Sequence, residues 1–297
     1  TDVNADGTYL FPTPPQATAY VVDSQGNRKD FKTNGIRDST FKGRIGETYK
    51  LNITADGETY ESSAETMRAC PEIDTLIALY TRESNRNEKD LLYDGFDVYA
   101  QFQDIPGQES YYQWDWVHYE RQITCGVREE NGQTVRLRCS PTTCWDIKYN
   151  NRIIVQSDRL RDGQPIAHRL VRVPFATPPN KYYLQVEQRA ISPSVFEYLK
   201  SLETQTQNVG SLFDLPAQTR FSPNIQNVNN PKEQIIGVFN VFSSRRKVIL
   251  TDMRQEIPGA TAKYIGDPRP FTSDPLAFAL CIEGQYRTLV RPEDWME

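Results

Sequence analysis

A two-residue hydrophobic period recurs along this chain, and it constrains the fold more than any other feature. In "TYKLNIT" (48–54), Tyr49, Leu51 and Ile53 fall on one side, Lys50 and Asn52 on the other. "KYYLQVEQ" (181–188) sets Tyr182, Leu184 and Val186 against Tyr183, Gln185 and Glu187. "YYQWDWVHYE" (111–120) lines up Tyr112, Trp114, Trp116 and His118. Successive side chains of a strand point to opposite faces, so such alternation signals β-strands. "LIALYT", "GFDVYAQFQD", "RIIVQS", "AHRLVRVPF", "QIIGVFNVFSS" and "KVILTD" extend the same β-rich, often aromatic character over most of the chain.

Turn chemistry divides these strands. Asp56-Gly57 and Gln25-Gly26-Asn27 are tight-turn sequences between alternating runs. Residues 1–68 therefore read as a small immunoglobulin-like β-sandwich of short antiparallel strands. "RACPEIDTL" (68–76) reads as its exit, because Pro71 disfavours a continuing central strand. Residues 69–297 read as a larger antiparallel β domain with one covering helix, making the chain mainly β. That helix spans 192–207: Ser192 is placed to cap it, Pro193 opens it, and Val195, Phe196, Leu199 and Leu202 share a face. Gly210 supplies the stop.

The stretch 210–239 is unusual. It holds Pro216, Pro223 and Pro231, yet Leu212, Phe213, Leu215, Phe221, Ile225 and Val228 are scattered through it. Long irregular segments in compact domains are either functional or packed by their own side chains. Here Leu212, Phe213 and Leu215 are expected to anchor one end, and Ile225 and Val228 the other. Asn224, Asn227, Asn229 and Asn230 would satisfy backbone groups that no ladder reaches.

Composition narrows the function. The chain has 297 residues with a net charge of −5, which disfavours a phosphate-tracking nucleic-acid surface. No run reaches the roughly 18 apolar residues of a membrane helix. Arg152, Arg159, Arg161, His168, Arg169 and Arg172 read as a solvated sheet face. No GxSxG elbow, HExxH motif or P-loop is present, and the two histidines sit by no signature nucleophile, so the chain reads as a non-enzyme.

Three candidate sites remain. The stripe Tyr112, Trp114 and Trp116 suits either a sheet core or a stacking platform for a carbohydrate or peptide. "DVNADG" places Asp2, Asn4 and Asp6 as in the first half of a calcium loop, but Thr13 stands where the bidentate glutamate belongs. A polar turn and a calcium site are both open readings there, and no other cofactor is expected. Five cysteines lack CxxC spacing, which disfavours zinc. Cys125, Cys139 and Cys144 cluster, which points to a disulfide and an oxidising compartment or to buried thiols. The expected bridge is Cys139–Cys144, turned by Pro141, with Cys125–Cys144 its competitor.

Several blocks in order carry a family resemblance. They are "GRIGETYKLNITADGETYES" (43–62), "CPEIDTL" (70–76), "YYQWDW" (111–116) and "CW" (144–145). "YYLQVEQRAISPSVFEYLKSLETQTQNVGSLFD" (182–214), "PNIQNVNNPKEQIIGVF" (223–239) and a closing "C…RPEDW" (281–295) follow. Together they resemble the Bacteroidota outer-membrane lipoproteins known as domain-of-unknown-function family 4249. The resemblance implies an envelope lipoprotein, anchored to the outer membrane through a lipidated cysteine ahead of Thr1, on its surface or periplasmic face. Members are often encoded beside TonB-dependent receptors, which implies an accessory partner of such a β-barrel. Members often carry two cysteines before the final Pro and Trp, where this chain has Cys281 alone. The family carries over no catalytic residues. The expectation is an outer-membrane-associated accessory lipoprotein, the alternative a free-standing carbohydrate- or peptide-binding surface module.

Overall fold

The computed structural model describes residues 2–3, 9–10, 17–31, 42–86, 92–123, 127–131, 133–136, 143–159, 161–174, 181–207, 221–252 and 283–295. The early strands are β1 (Asp2–Val3), β2 (Tyr9–Leu10), β3 (Thr18–Asp23), β4 (Arg28–Phe31), β5 (Thr48–Ala55), β6 (Glu58–Ser62) and β7 (Glu65–Thr66). Then come β8 (Thr75–Arg86), β9 (Leu92–Gln103), β10 (Tyr111–Ile123), β11 (Val127–Glu130), β12 (Gln133–Arg136), β13 (Thr143–Tyr149), β14 (Val155–Ser157), β15 (Pro165–Pro174) and β16 (Lys181–Ala190). Helix α1 (Pro193–Gln207) precedes β17 (Ile225–Asn227), β18 (Ser243–Asp252) and β19 (Arg287–Thr288). The protein is mainly β, its strand pairs are antiparallel, and α1 is the single helix among the described residues.

The first sheet has the order β17-β6-β5-β3-β4, with β7 also on β5. Its hairpins follow the turn residues. Asp56 and Gly57 both take positive φ, 52° and 83°, the conformation that matches the twist of a two-residue hairpin. At the β3–β4 turn the Asp23 carboxylate accepts from the amides of Gln25 (3.0 Å) and Asn27 (2.8 Å). The expected division at residue 68 is crossed here: β17 comes from far along the chain yet pairs with β6, Ile225 opposite Ser62 and Asn227 opposite Tyr60.

The larger body is a sandwich of two sheets, β15-β9-β8 and β18-β16-β10-β13-β19, with β14 also on β10. On β9, Phe96, Val98, Ala100 and Phe102 alternate inward and are at most 1% exposed. They meet Tyr112, Trp114 and Trp116 of β10, Leu184 and Val186 of β16, and Ile166 and Leu170 of β15. Each large apolar side chain buried this way contributes about 1.5–3 kcal/mol of transfer free energy. The alternation on β16 also hides Tyr183 on the opposite face, because Trp295 stacks on it at 5.8 Å between ring centres. The Tyr183 hydroxyl donates to the Glu293 carbonyl at 2.6 Å, fixing that terminal segment.

Helix α1 begins where expected. The Ser192 hydroxyl accepts the Val195 amide at 3.4 Å, relieving one unpaired amide of the first turn. Val195, Phe196 and Tyr198 are buried, and Phe196 meets Tyr111 at 4.8 Å between ring centres. The helix thus covers Tyr111, Val155 and Ile191 together with Val238 and Phe242.

The run 234–242, which the alternation predicts as strand, is irregular; the ladder starts only at Ser243. Gly237 takes φ +119°, which an extended strand does not use. Asn224 occupies the backbone instead: its Oδ1 accepts the Phe239 amide (3.1 Å) and its Nδ2 donates to the Phe239 carbonyl (2.7 Å). Segment 221–242 is therefore a strap, held by the short β17 ladder in its first part and by side chains such as Asn224 beyond it. Asn227 Oδ1 accepts the amides of Asn229 (2.8 Å) and Asn230 (3.1 Å), the role expected of it, whereas the Asn229 side chain donates to Glu58 at 3.1 Å. Ile225 is half-buried, but Val228, expected as an anchor, is 47% exposed. Leu212, Phe213 and Leu215 lie outside the described residues.

Candidate functional site

The aromatic stripe is not a stacking platform. Tyr112, Trp114 and Trp116 are 1%, 1% and 8% exposed. Period two predicts that they share a face but not what covers it, and β9 and β15 cover it. Trp114 Nε1 donates to Gln188 Oε1 at 3.1 Å, and its ring stacks on His168 at 4.5 Å. Gln188 in turn donates to the Pro71 carbonyl at 3.2 Å, so the polar handle of the tryptophan ties the "CPEIDTL" segment to β16. Cys70 lies beside it as a free thiol, pushed up to about 11 by burial and so unreactive.

The histidines are structural. His118 is 3% exposed, and its Nδ1 bonds the Tyr183 carbonyl at 2.7 Å as donor. Burial pulls it down to about 3, and the same cause pulls His168 down to about 4. Both are neutral near pH 7.

Of the calcium candidates, Asp2 lies on β1 opposite Leu10, while Asn4 and Asp6 fall outside the described residues. Cys144 is wholly buried on β13 and is disulfide-bonded. Its expected partner Cys139 lies outside the described residues, as do Cys125 and Cys281.

Sequence reasoning missed a different constellation. Asp104, Asp158 and Asp162 each present a carboxylate oxygen, and these oxygens lie within 4.8 Å of one another. Asp104 and Asp158 are each 1% exposed, whereas Asp162 is open to solvent. Asp104 is well served: the Tyr112 hydroxyl donates to Oδ1 and the Gly163 amide to Oδ2 at 2.9 Å. Asp162 accepts the Gly107 amide at 2.9 Å. Neither oxygen of Asp158 meets a hydrogen-bond donor. Burial raises Asp158 above its ordinary value, with Asp104 and Asp162 adding to it; the nearby Ser110 backbone, which makes no hydrogen bond to either oxygen, offsets part of this. Among the described residues, no Lys or Arg forms an ion pair with any of the three. The three aspartates come from two connections and match no local motif.

The exposed surface carries a second feature. Ile236 (70%), Val228 (47%) and Phe221 (42%) project from the strap, and Tyr286 (63%), Leu289 (45%) and Val290 (69%) from the segment around β19. The strap is nonetheless fixed beneath these residues. Glu65 Oε1 accepts from Asn224 Nδ2 (2.7 Å) and from the Ser194 hydroxyl (2.9 Å), joining the first sheet, the strap and the start of α1. Tyr198 of α1 accepts the Gly237 amide at 3.2 Å.

The family described as "Domain of unknown function (DUF4249)" matches residues 1–248, most of the chain, and the chain belongs to it. No curated protein matches, and no solved structure matches.

Proposed function

We propose that this member of the DUF4249 family is an accessory lipoprotein of the outer membrane, docked on a β-barrel of the TonB-dependent receptor type. The observation that carries the reading is the apolar strap. Ile236, Val228 and Phe221 stand exposed on a segment that Asn224, Glu65 and Tyr198 hold in place. An exposed apolar side chain on a fixed backbone loses little entropy when a partner covers it, so it favours a docking role. The resemblance to Bacteroidota envelope lipoproteins supplies the kind of partner. A lipid anchor would confine the protein to the membrane plane and raise its effective concentration near the barrel. The disulfide at Cys144 fits an oxidising compartment, with Cys139 as the proposed partner cysteine. A free-standing carbohydrate- or peptide-binding module loses its support, because Tyr112, Trp114 and Trp116 are core residues. The test is isolation of the tagged full-length protein from gently solubilised outer membrane. A barrel recovered in near-equal amount supports the reading; recovery of the protein alone, even after crosslinking, refutes it.

A further inference from the structure

The sandwich has two connections that cross between its sheets at the same end. Residues 104–110 lead from β9 to β10, and residues 158–164 lead from β14 back to β15. The register places them together, since Phe102 pairs with Ile166 and Tyr111 with Ser157. Their approach is close: a Cβ on Gly163 would come 2.7 Å from the Cβ of Pro106. Backbone bonds stitch them, Asp158 N to the Ser110 carbonyl at 3.1 Å and Asp104 N to the Gln164 carbonyl at 3.3 Å.

Asp104 comes from the first crossover, and Asp158 and Asp162 from the second. Two of these carboxylates are 1% exposed, and both oxygens of Asp158 have no donor. A buried ionised carboxylate left unpaired costs several kcal/mol, so such a group needs a cation or a proton.

We infer that Asp104, Asp158 and Asp162 bind a hard divalent cation, calcium by preference, which clamps the two crossovers and hence the two sheets together. The donors are all carboxylate oxygens, the set that calcium, magnesium and manganese take and that soft metals do not. The oxygens lie within 4.8 Å of one another, about twice a calcium–oxygen distance of ~2.4 Å, so one calcium contacts all three with little movement. Asp158 presents an unpaired oxygen to the cluster, and Asp162, at the solvent-exposed rim, marks the entry path. The cation supplies the positive charge that no Lys or Arg among the described residues brings. The competing occupant is a proton shared between Asp158 and Asp104.

The experiment uses the whole chain, freed of metal by chelation, in a neutral buffer. Calcium chloride is titrated calorimetrically, with magnesium and manganese in parallel, and melting is followed with and without each ion. Terbium emission excited through protein aromatics reports the position, because the Tyr112 hydroxyl sits on Asp104. The expected result is one calcium per chain, a higher melting temperature with calcium, and sensitised terbium emission. Asp162→Asn alters an exposed side chain, so folding is not at risk; it should weaken binding about tenfold or more. Asp158→Asn should abolish the calcium-dependent rise in melting temperature. The inference is overturned if no divalent ion binds, which leaves the shared proton as occupant. It is equally overturned if binding persists undiminished in both variants, which places the ion elsewhere, such as at Asp2, Asn4 and Asp6.

Discussion

Replacing Asn224 with alanine removes a side chain that ties the strap to the body of the protein, beside the β17 ladder and Tyr198. Three hydrogen bonds go with it: from its Nδ2 to Glu65 Oε1 (2.7 Å) and to the Phe239 carbonyl (2.7 Å), and from the Phe239 amide to its Oδ1 (3.1 Å). Asn224 is 5% exposed and Glu65 also 5%, so water does not freely replace the lost partner. At about 1 kcal/mol per bond the cost is on the order of 3 kcal/mol. If the strap melts with the rest of the fold, the melting temperature falls by roughly 6–10 °C. If it opens by itself, that cost appears as local opening, about a hundredfold faster amide exchange across 222–242. Hydrogen exchange read by mass spectrometry, with a melt on the same sample, separates the two outcomes. The exposed neighbour Asn229, whose side chain reaches Glu58 at 3.1 Å on the surface, is the control; its alanine variant should shift stability by less than ~0.5 kcal/mol. Unchanged exchange and melting in Asn224→Ala would refute the view that this asparagine substitutes for a ladder.

Two further outcomes follow from buried groups. His118 and His168 are held down at about 3 and about 4, below the ordinary 6.5, so the unfolded chain takes up protons before the folded one. Stability is therefore full above pH ~6.5 and falls as pH drops toward 4, by on the order of 3 kcal/mol per histidine. Asp158, raised in the fold, works in the opposite sense: folding favours its protonated form, so its contribution falls as pH rises above 3.8. Denaturant midpoints that rise between pH 6.5 and 4 would contradict the histidine assignment. For the thiols, peptide mapping under non-reducing conditions should find Cys70 free and Cys144 bridged, with Cys139 the proposed partner; a free Cys144 would remove this support for an oxidising compartment.

Local chemistry was legible from the sequence and long-range contact was not. Asp56-Gly57 dictates its hairpin because only a few residues accept positive φ at both positions, and the Ser192 cap dictates where α1 begins. Alternation in "YYQWDW" correctly gives β10, but a period of two is silent on whether water or β9 lies against the face. The same pattern failed at 234–242, where Asn224, ten or more residues upstream, competes for the backbone that a neighbouring strand would use. The pairing of β17 with β6 joins segments too distant for any local rule, so the division at residue 68 did not foresee it. Asp104, Asp158 and Asp162 are ordinary loop aspartates until the two crossovers meet.

The docking claim is tested most directly by placing a charge on the strap. Ile236 is 70% exposed, so Ile236→Lys should leave melting and membrane level unchanged. Tagged wild-type and variant proteins would be isolated side by side from gently solubilised outer membrane, and the co-purified barrel quantified. The account predicts near-equal barrel with the wild type and at least about tenfold less with the variant, a loss of ~1.4 kcal/mol or more in the interface. Barrel retained undiminished by the charge, or wild-type protein recovered alone across several detergents and after crosslinking, would contradict it.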